Sequence, residues 1–146
     1  MTASSTRVGR CATGLGLFAT KPIKRRGYIA TYRGVRIPTP EAERREARGA
    51  RYMFTIDSRW SIDGSPRWNL ARYINHSCRP NASAVLRNGA IVIVAARRIE
   101  PGEEITFDYG REYLDLFFKQ DCRCEACRAK KSRSARRRRA AARSSA

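Results

Sequence analysis

Three thiols fall within six residues at 122–127, CRCEAC, and a fourth, Cys78, closes the tetrapeptide NHSC, where Asn75, His76 and Ser77 set an amide, the chain's only histidine and a hydroxyl in a row. Thiolates are soft ligands suited to zinc, and a tetrahedral ion takes three of them from one tight turn only if a fourth arrives from elsewhere. Cys78 is the candidate for that position. The pattern therefore predicts a closed, structural Zn(2+) site held by Cys78, Cys122, Cys124 and Cys127. Two other readings stay open: His76 as the fourth ligand, or a Cys78 that is merely buried while the last three thiols hold metal with an adventitious partner. Cys11, the fifth cysteine, is expected to be a small buried apolar residue. Cysteines crowded in this way suit a metal site in a reducing compartment better than a disulfide framework.

NHSC lies inside RYINHSCRPN, residues 72–81, behind the apolar Leu70, Tyr73 and Ile74 and around the turn-forming Pro80. The elements that must position it are short. Turn signals recur between β-type runs at 15–19, 28–32, 52–56, 84–86, 91–95 and 105–107, the texture of a mainly β domain of small sheets with few short helices. One helix is predicted over residues 40–48, PEAERREAR, from its proline in the first turn, early acids and late arginine. A second apolar face, Tyr113, Leu114, Phe117 and Phe118, has helical spacing just before the cysteines. From residue 129 onward the Lys/Arg/Ser/Ala composition cannot bury a core, and a disordered tail is expected.

The length of 146 residues fits one domain with a modest core, and 42% apolar residues is close to the globular norm. Charge sets the chain apart: 31 Lys and Arg against 13 Asp and Glu give +18. Residues 128–146 carry nine of the cations and no acid, so the remainder holds 22 − 13 = +9 and is basic in its own right. Such a field favours acidic partners, nucleic acid or a nucleoprotein. The start, MTASSTRVGR, lacks the apolar stretch of a signal peptide, and the longest apolar run, 90–96, is too short for a bilayer, so a soluble protein with no membrane partner is expected. No Ser/His/Asp arrangement or P-loop spacing competes for the chemistry.

The chain resembles a SET-domain protein-lysine methyltransferase across residues 7–128. GLGLFA (14–19) is similar to the family's N-terminal glycine motif, TYRGVRI (31–37) to its YxG strand, RYINHSCRPN to its central signature and GEEITFDYG (102–110) to its catalytic one. CRCEAC follows as a post-SET zinc segment, with two residues between its last cysteines where four are usual. The resemblance implies a SET-domain fold of small curved sheets with a C-terminal pseudoknot, in which NHSC threads through a loop and brings Cys78 to CRCEAC. It divides the chain into a SET domain at 1–120, a post-SET zinc segment at 121–128 and the basic tail at 129–146.

The same resemblance implies S-adenosylmethionine as cofactor, bound by Gly14, Leu15, Gly16, Arg72, Tyr73, Asn75, His76 and Tyr109. Glycine admits close approach of the main chain because it lacks a Cβ; Asn75 contributes its amide and His76 largely its backbone. Tyr109 matches the catalytic tyrosine, whose hydroxyl lies near the transferring methyl, and Tyr32 a second catalytic tyrosine. Tyr32, Phe107 and Tyr109 form the implied substrate channel. Phe107 matches a Phe/Tyr switch position where phenylalanine leaves room for further methyls, so di- or trimethylation is expected. The implied substrate is a histone or other chromatin-associated protein, histone-like in bacteria, with the basic tail gripping nucleic acid beneath it. The implied location is a nucleus or a bacterial cytoplasm, including delivery to a host nucleus. The alternative is a catalytically silent SET scaffold that acts as a zinc-stabilised nucleic-acid-binding protein, which has no need to keep Asn75, His76 and Tyr109 together.

Overall fold

Short β-branched runs cut by glycine and proline build three small sheets rather than one large one. The computed structural model describes residues 4–110 and 122–144. Strands β1 (Thr6–Cys11) and β2 (Gly14–Ala19) form an antiparallel hairpin. Against β2 lies β10 (Glu104–Phe107), antiparallel, and against β10 lies β7 (Asn75–His76), parallel, with Thr106 opposite Asn75 and Phe107 opposite His76. The second sheet contains β3 (Tyr28–Tyr32), β9 (Ala90–Ala95) and β8 (Ala82–Arg87), in that order. Asn88 and Gly89 turn the β8–β9 hairpin at φ of 49° and 77°, the twist that a two-residue loop between right-handed strands requires. In the third sheet β6 (Trp60–Asp63) is central between β4 (Val35–Pro38) and β5 (Met53–Thr55).

All three sheets feed one core. Leu17, Ile93, Ile99 and Ile105 are completely buried, Ile74 is nearly so, and Ile62 of β6 joins them. Helix α1 (Thr39–Ala47) starts with Pro40 in its first turn, close to the expected 40–48, and covers a smaller cluster of Ile37, Ala42 and Met53. Ile74 follows a 3-10 turn, Leu70–Tyr73, that delivers the chain to β7.

The β7–β10 pair is the one parallel pairing among the described residues. It is consistent with the expected pseudoknot. The apolar face at Tyr113, Leu114, Phe117 and Phe118 lies outside the described residues. The basic segment, expected to be disordered, is instead helical: α2 spans Glu125–Ser144. Alanine, arginine and lysine are strong helix formers, so a segment too polar to bury a core still prefers to coil. Among the described residues no helix is long and apolar enough to cross a membrane.

Candidate active site and metal centre

Leaving β7 at His76, the chain passes through Ser77 to Cys78 and there meets CRCEAC. Cys78 Sγ lies 3.6 Å from Cys127 Sγ and 4.0 Å from Cys122 Sγ. Zn–S bonds of about 2.3 Å in a tetrahedron place sulfurs about 3.8 Å apart, so the donor set fits the ion. Cys124 Sγ accepts the backbone N–H of Cys78 at 3.5 Å and that of Cys127 at 3.4 Å. Because Cys124 immediately precedes α2, the second bond makes its sulfur the N-terminal cap of that helix. Burial works against the Cys124 thiolate, yet the two N–H donors bring its pKa down to about 7. At Cys78, burial and then the crowding thiols push the pKa far above the ordinary range, and a divalent cation between the sulfurs reverses that.

His76 is a fifth donor for four positions: its ring nitrogen and the sulfurs of Cys78, Cys122 and Cys124 all lie within 4.8 Å of one another. Hydrogen bonding separates ligand from neighbour. Nδ1 of His76 accepts the Tyr109 backbone N–H at 3.1 Å, which assigns the proton of the neutral ring to Nε2. Burial keeps the ring neutral by lowering its pKa, against the raising effect of Asp108. Nε2–H then faces Cys78 Sγ at 3.3 Å as a donor, the role of a group that steadies a thiolate ligand from outside. The four cysteines therefore fit the ion better than a set containing His76.

Leu15, Arg72, Tyr73, Asn75, His76 and Tyr109, six of the eight residues expected to hold S-adenosylmethionine, line a cavity of about 1290 Å³. Gly14 and Gly16 flank Leu15 on β2 without lining it. Gly16 serves by its missing side chain, because a Cβ there would stand 2.5 Å from Glu104 Oε1 and 3.3 Å from Asn75 Nδ2. Asn75 Nδ2 donates to the Leu15 carbonyl at 2.9 Å and to Glu104 Oε1 at 2.8 Å, which leaves Oδ1 to accept from a ligand. Arg72 lays its guanidinium 4.3 Å over the Tyr52 ring, and its buried Nε has no hydrogen-bond partner among the described residues. An unanswered donor at this wall fits a ligand carboxylate such as that of S-adenosylmethionine. Cys11, expected to be buried, is instead half-buried and lines the same cavity, because the β1–β2 hairpin end on which it sits forms part of the wall.

Tyr109 also lines a second cavity of about 890 Å³, together with Tyr32, Tyr52, Phe54 and Phe107. The rings form a continuous wall: Tyr109 to Phe107 is 4.9 Å between centroids, Phe107 to Phe54 6.2 Å, and Phe54 to Tyr32 5.0 Å. The Tyr109 hydroxyl donates to the carbonyl of Ile74, at the root of β7. That of Tyr32 donates to the Tyr52 carbonyl at 2.6 Å. Tyr52 holds a left-handed backbone at φ 72°, a conformation that costs a bulky residue about 1 kcal/mol or more. Its carbonyl also accepts the Gly64 N–H at 2.8 Å. A Cβ on Gly64 would stand 2.5 Å from the Tyr32 hydroxyl. Two carboxylates, Glu46 of α1 and Asp108, complete the lining, and burial followed by the neighbouring Glu43 raises the Glu46 pKa. Tyr52, Phe54, Glu46 and Gly64 escaped the reading of the sequence. The available signal was the aromatic content of the run at 52–56, although Tyr52 precedes β5 with a left-handed backbone that strand alternation does not foretell.

Residues 14–110 match the family model described as SET domain. The human histone-lysine N-methyltransferase 2D is 38% identical over 128 residues, covering 81% of this chain and 2% of the relative. The histone-lysine N-methyltransferase trithorax of Drosophila virilis is 38% identical over 124 residues, covering 79% and 3%. The H3 lysine-4 specific histone-lysine N-methyltransferase of Saccharomyces cerevisiae is 40% identical over 104 residues, covering 64% and 10%. This chain thus spans 10% or less of the length of these three relatives. Among solved structures, a chain of ctPRC2 in an autoinhibited conformation bound to S-adenosylmethionine is similar at a TM-score of 0.67 and 30% identity, covering 81% of this chain and 16% of that one. A chain from a humanized mutant of the Chaetomium thermophilum Polycomb Repressive Complex 2 bound to an inhibitor is similar at 0.65 and 31%, covering 75% and 15%.

Proposed function

The chain belongs to the SET-domain family, and from that premise we propose that it is a zinc-stabilised protein-lysine methyltransferase acting on a histone or histone-like protein at chromatin. The observation that carries the reading is the double exposure of Tyr109, which lines both the large polar cavity and the aromatic one. S-adenosylmethionine supplies an electrophilic methyl group on a sulfonium. Arg72, Asn75 and the Leu15 segment hold it in the polar cavity, and the lysine enters from the aromatic side.

A lysine amine is protonated at a pKa of about 10.4 and attacks only when neutral. Walls of Tyr32, Phe54, Phe107 and Tyr109 desolvate it and favour loss of that proton. The hydroxyls of Tyr32 and Tyr109 each donate to a main-chain carbonyl, which fixes the positions from which they aim the amine nitrogen. Glu46 and Asp108 offset the general repulsion between a +18 chain and a basic substrate at the cavity where the substrate must enter. Phe107 brings no hydroxyl to hold a filling water, which supports di- or trimethylation. Zn(2+) on Cys78, Cys122, Cys124 and Cys127 is structural, and the basic segment from Arg128 onward holds nucleic acid beneath the substrate.

Transfer of labelled methyl from S-adenosylmethionine to histones, with products resolved by mass spectrometry, tests the reading. Multiply methylated lysine is expected, and Tyr109→Phe should lower kcat by about 100-fold or more. No transfer by the unaltered chain, or full activity in the variant, would overturn it.

A further inference from the structure

We propose that α2 is a duplex-DNA-binding arm that lies in the major groove, its direction fixed by the thiolate centre at its root. This deepens the nucleic-acid contact above and stands apart from methyl transfer. After Glu125 at its first position the helix carries only cations among its charged residues, Arg136, Arg137, Arg138 and Arg139 in unbroken succession. Apart from half-buried Ala126, Cys127 and Ala135, the residues from Glu125 to Arg143 are exposed. The helix therefore leaves the body almost at once and presents its surface outward.

The distribution of charge selects the partner. Successive residues of a helix step by about 100°, so four consecutive arginines point in four directions around the axis. A flat anionic face, whether of a membrane or an acidic protein, would engage one side and leave the others unanswered. A groove bounded by two phosphate strands answers more of them, because it flanks the helix on two sides. The major groove of B-DNA, about 12 Å wide, admits an α-helix, whereas the deep, narrow major groove of duplex RNA does not. Twenty residues give an arm about 30 Å long, against one phosphate per about 3.4 Å of each strand. Arg133 with Arg136 and Arg137, and Arg139 with Arg143, lie three or four positions apart and repel one another along the helix. Phosphates on both sides of a groove relieve that repulsion.

The root of the arm is set by chemistry already described. Cys124 caps α2 through the Cys127 N–H at 3.4 Å, and Cys127 Sγ in the first turn lies 3.6 Å from Cys78 Sγ. The arm cannot swing at its base without disturbing two of the four sulfurs.

Fluorescence anisotropy of the full chain with labelled duplex DNA, at salt concentrations from 50 to 200 mM, provides the test. Replacement of the four residues by R136A/R137A/R138A/R139A keeps strong helix formers at each position. The variant should bind about tenfold or more weakly, and its log–log salt slope should be shallower by about 3 to 4, since each neutralised phosphate contributes about 0.9. Its methylation of free histone peptide should be unchanged. An unaltered slope in the variant, or equal or tighter binding of the unaltered chain to duplex RNA of the same sequence, would overturn the proposal.

Discussion

The carboxamide of Asn81 accepts the Thr106 N–H at 2.9 Å and donates to the Glu104 carbonyl at 2.8 Å, while the residue is only 4% exposed. A side chain thus takes the place of a strand beside β10, next to the position where β7 pairs with it. Asn81→Ala strands two backbone groups in a dry place and should cost about 3 kcal/mol, or about 10 °C in Tm for a domain of this size. Calorimetry checks it, and a drop under a few degrees would mean that water replaces the amide. Asn69 works in the same manner, fully buried, accepting from the Arg33 N–H and donating to the Gly64 carbonyl, each at 3.0 Å. Neither role was legible in the sequence, because each asparagine has a partner as far as 25 or 36 positions away. The meeting of Cys78 with CRCEAC and the place of Tyr109 in the cavity walls were legible, since thiols and FDYG stand out by type and spacing. The use of the His76 ring was not, because its two bonds, to Tyr109 and to Cys78, depend on a register that only the folded chain fixes.

Strand β3 passes into β4 through Gly34, where a Cβ would stand 1.9 Å from the Asp63 carbonyl oxygen. The obstacle is main chain, so it cannot rotate away. Gly34→Ala should force β4 off β6 and destabilise the protein by about 3 kcal/mol or more, with KM for a peptide substrate rising because β5 and its Phe54 share that sheet. Thermal melting with peptide kinetics checks both effects, and a variant unchanged in melting would refute the packing. The runs at 28–32 and 91–95 declared themselves by β-branched and apolar content, as does the proline-led α1. Strand β1, TRVGRC, did not: it is an edge strand with two arginines, and its burial alternates only weakly. β7 is two residues long and exists because β10 lies beside it. For α2, polarity predicts disorder although propensity favours a helix, a case where inability to bury a core says nothing about local coiling.

Sulfur ties the molecule's parts into one unit, since Cys78 continues from the donor cavity, Cys124 caps α2, and His76 connects Cys78 to the backbone of Tyr109. Stripping Zn(2+) with a chelator should therefore weaken S-adenosylmethionine binding about tenfold or more as well as lower Tm. Calorimetric titration of the metal-free chain measures it, and undiminished affinity would mean that the metal serves only the C-terminal segment. The parallel pairing of β7 with β10 carries a different consequence, for the order of folding. Strand β10 joins Thr106 to Asn75, 106 − 75 = 31 positions back, and Glu104 to Phe18, 104 − 18 = 86 positions back, whereas the β1–β2 and β8–β9 hairpins close locally. Contacts so distant form late, since the loop between them must first be closed. A chain emerging from the ribosome has all the strands of two sheets before residue 104 is made, and at that stage neither cavity has its wall. Both cavities are thus completed in the last closure, when the newest strand slides in beside one synthesised long before.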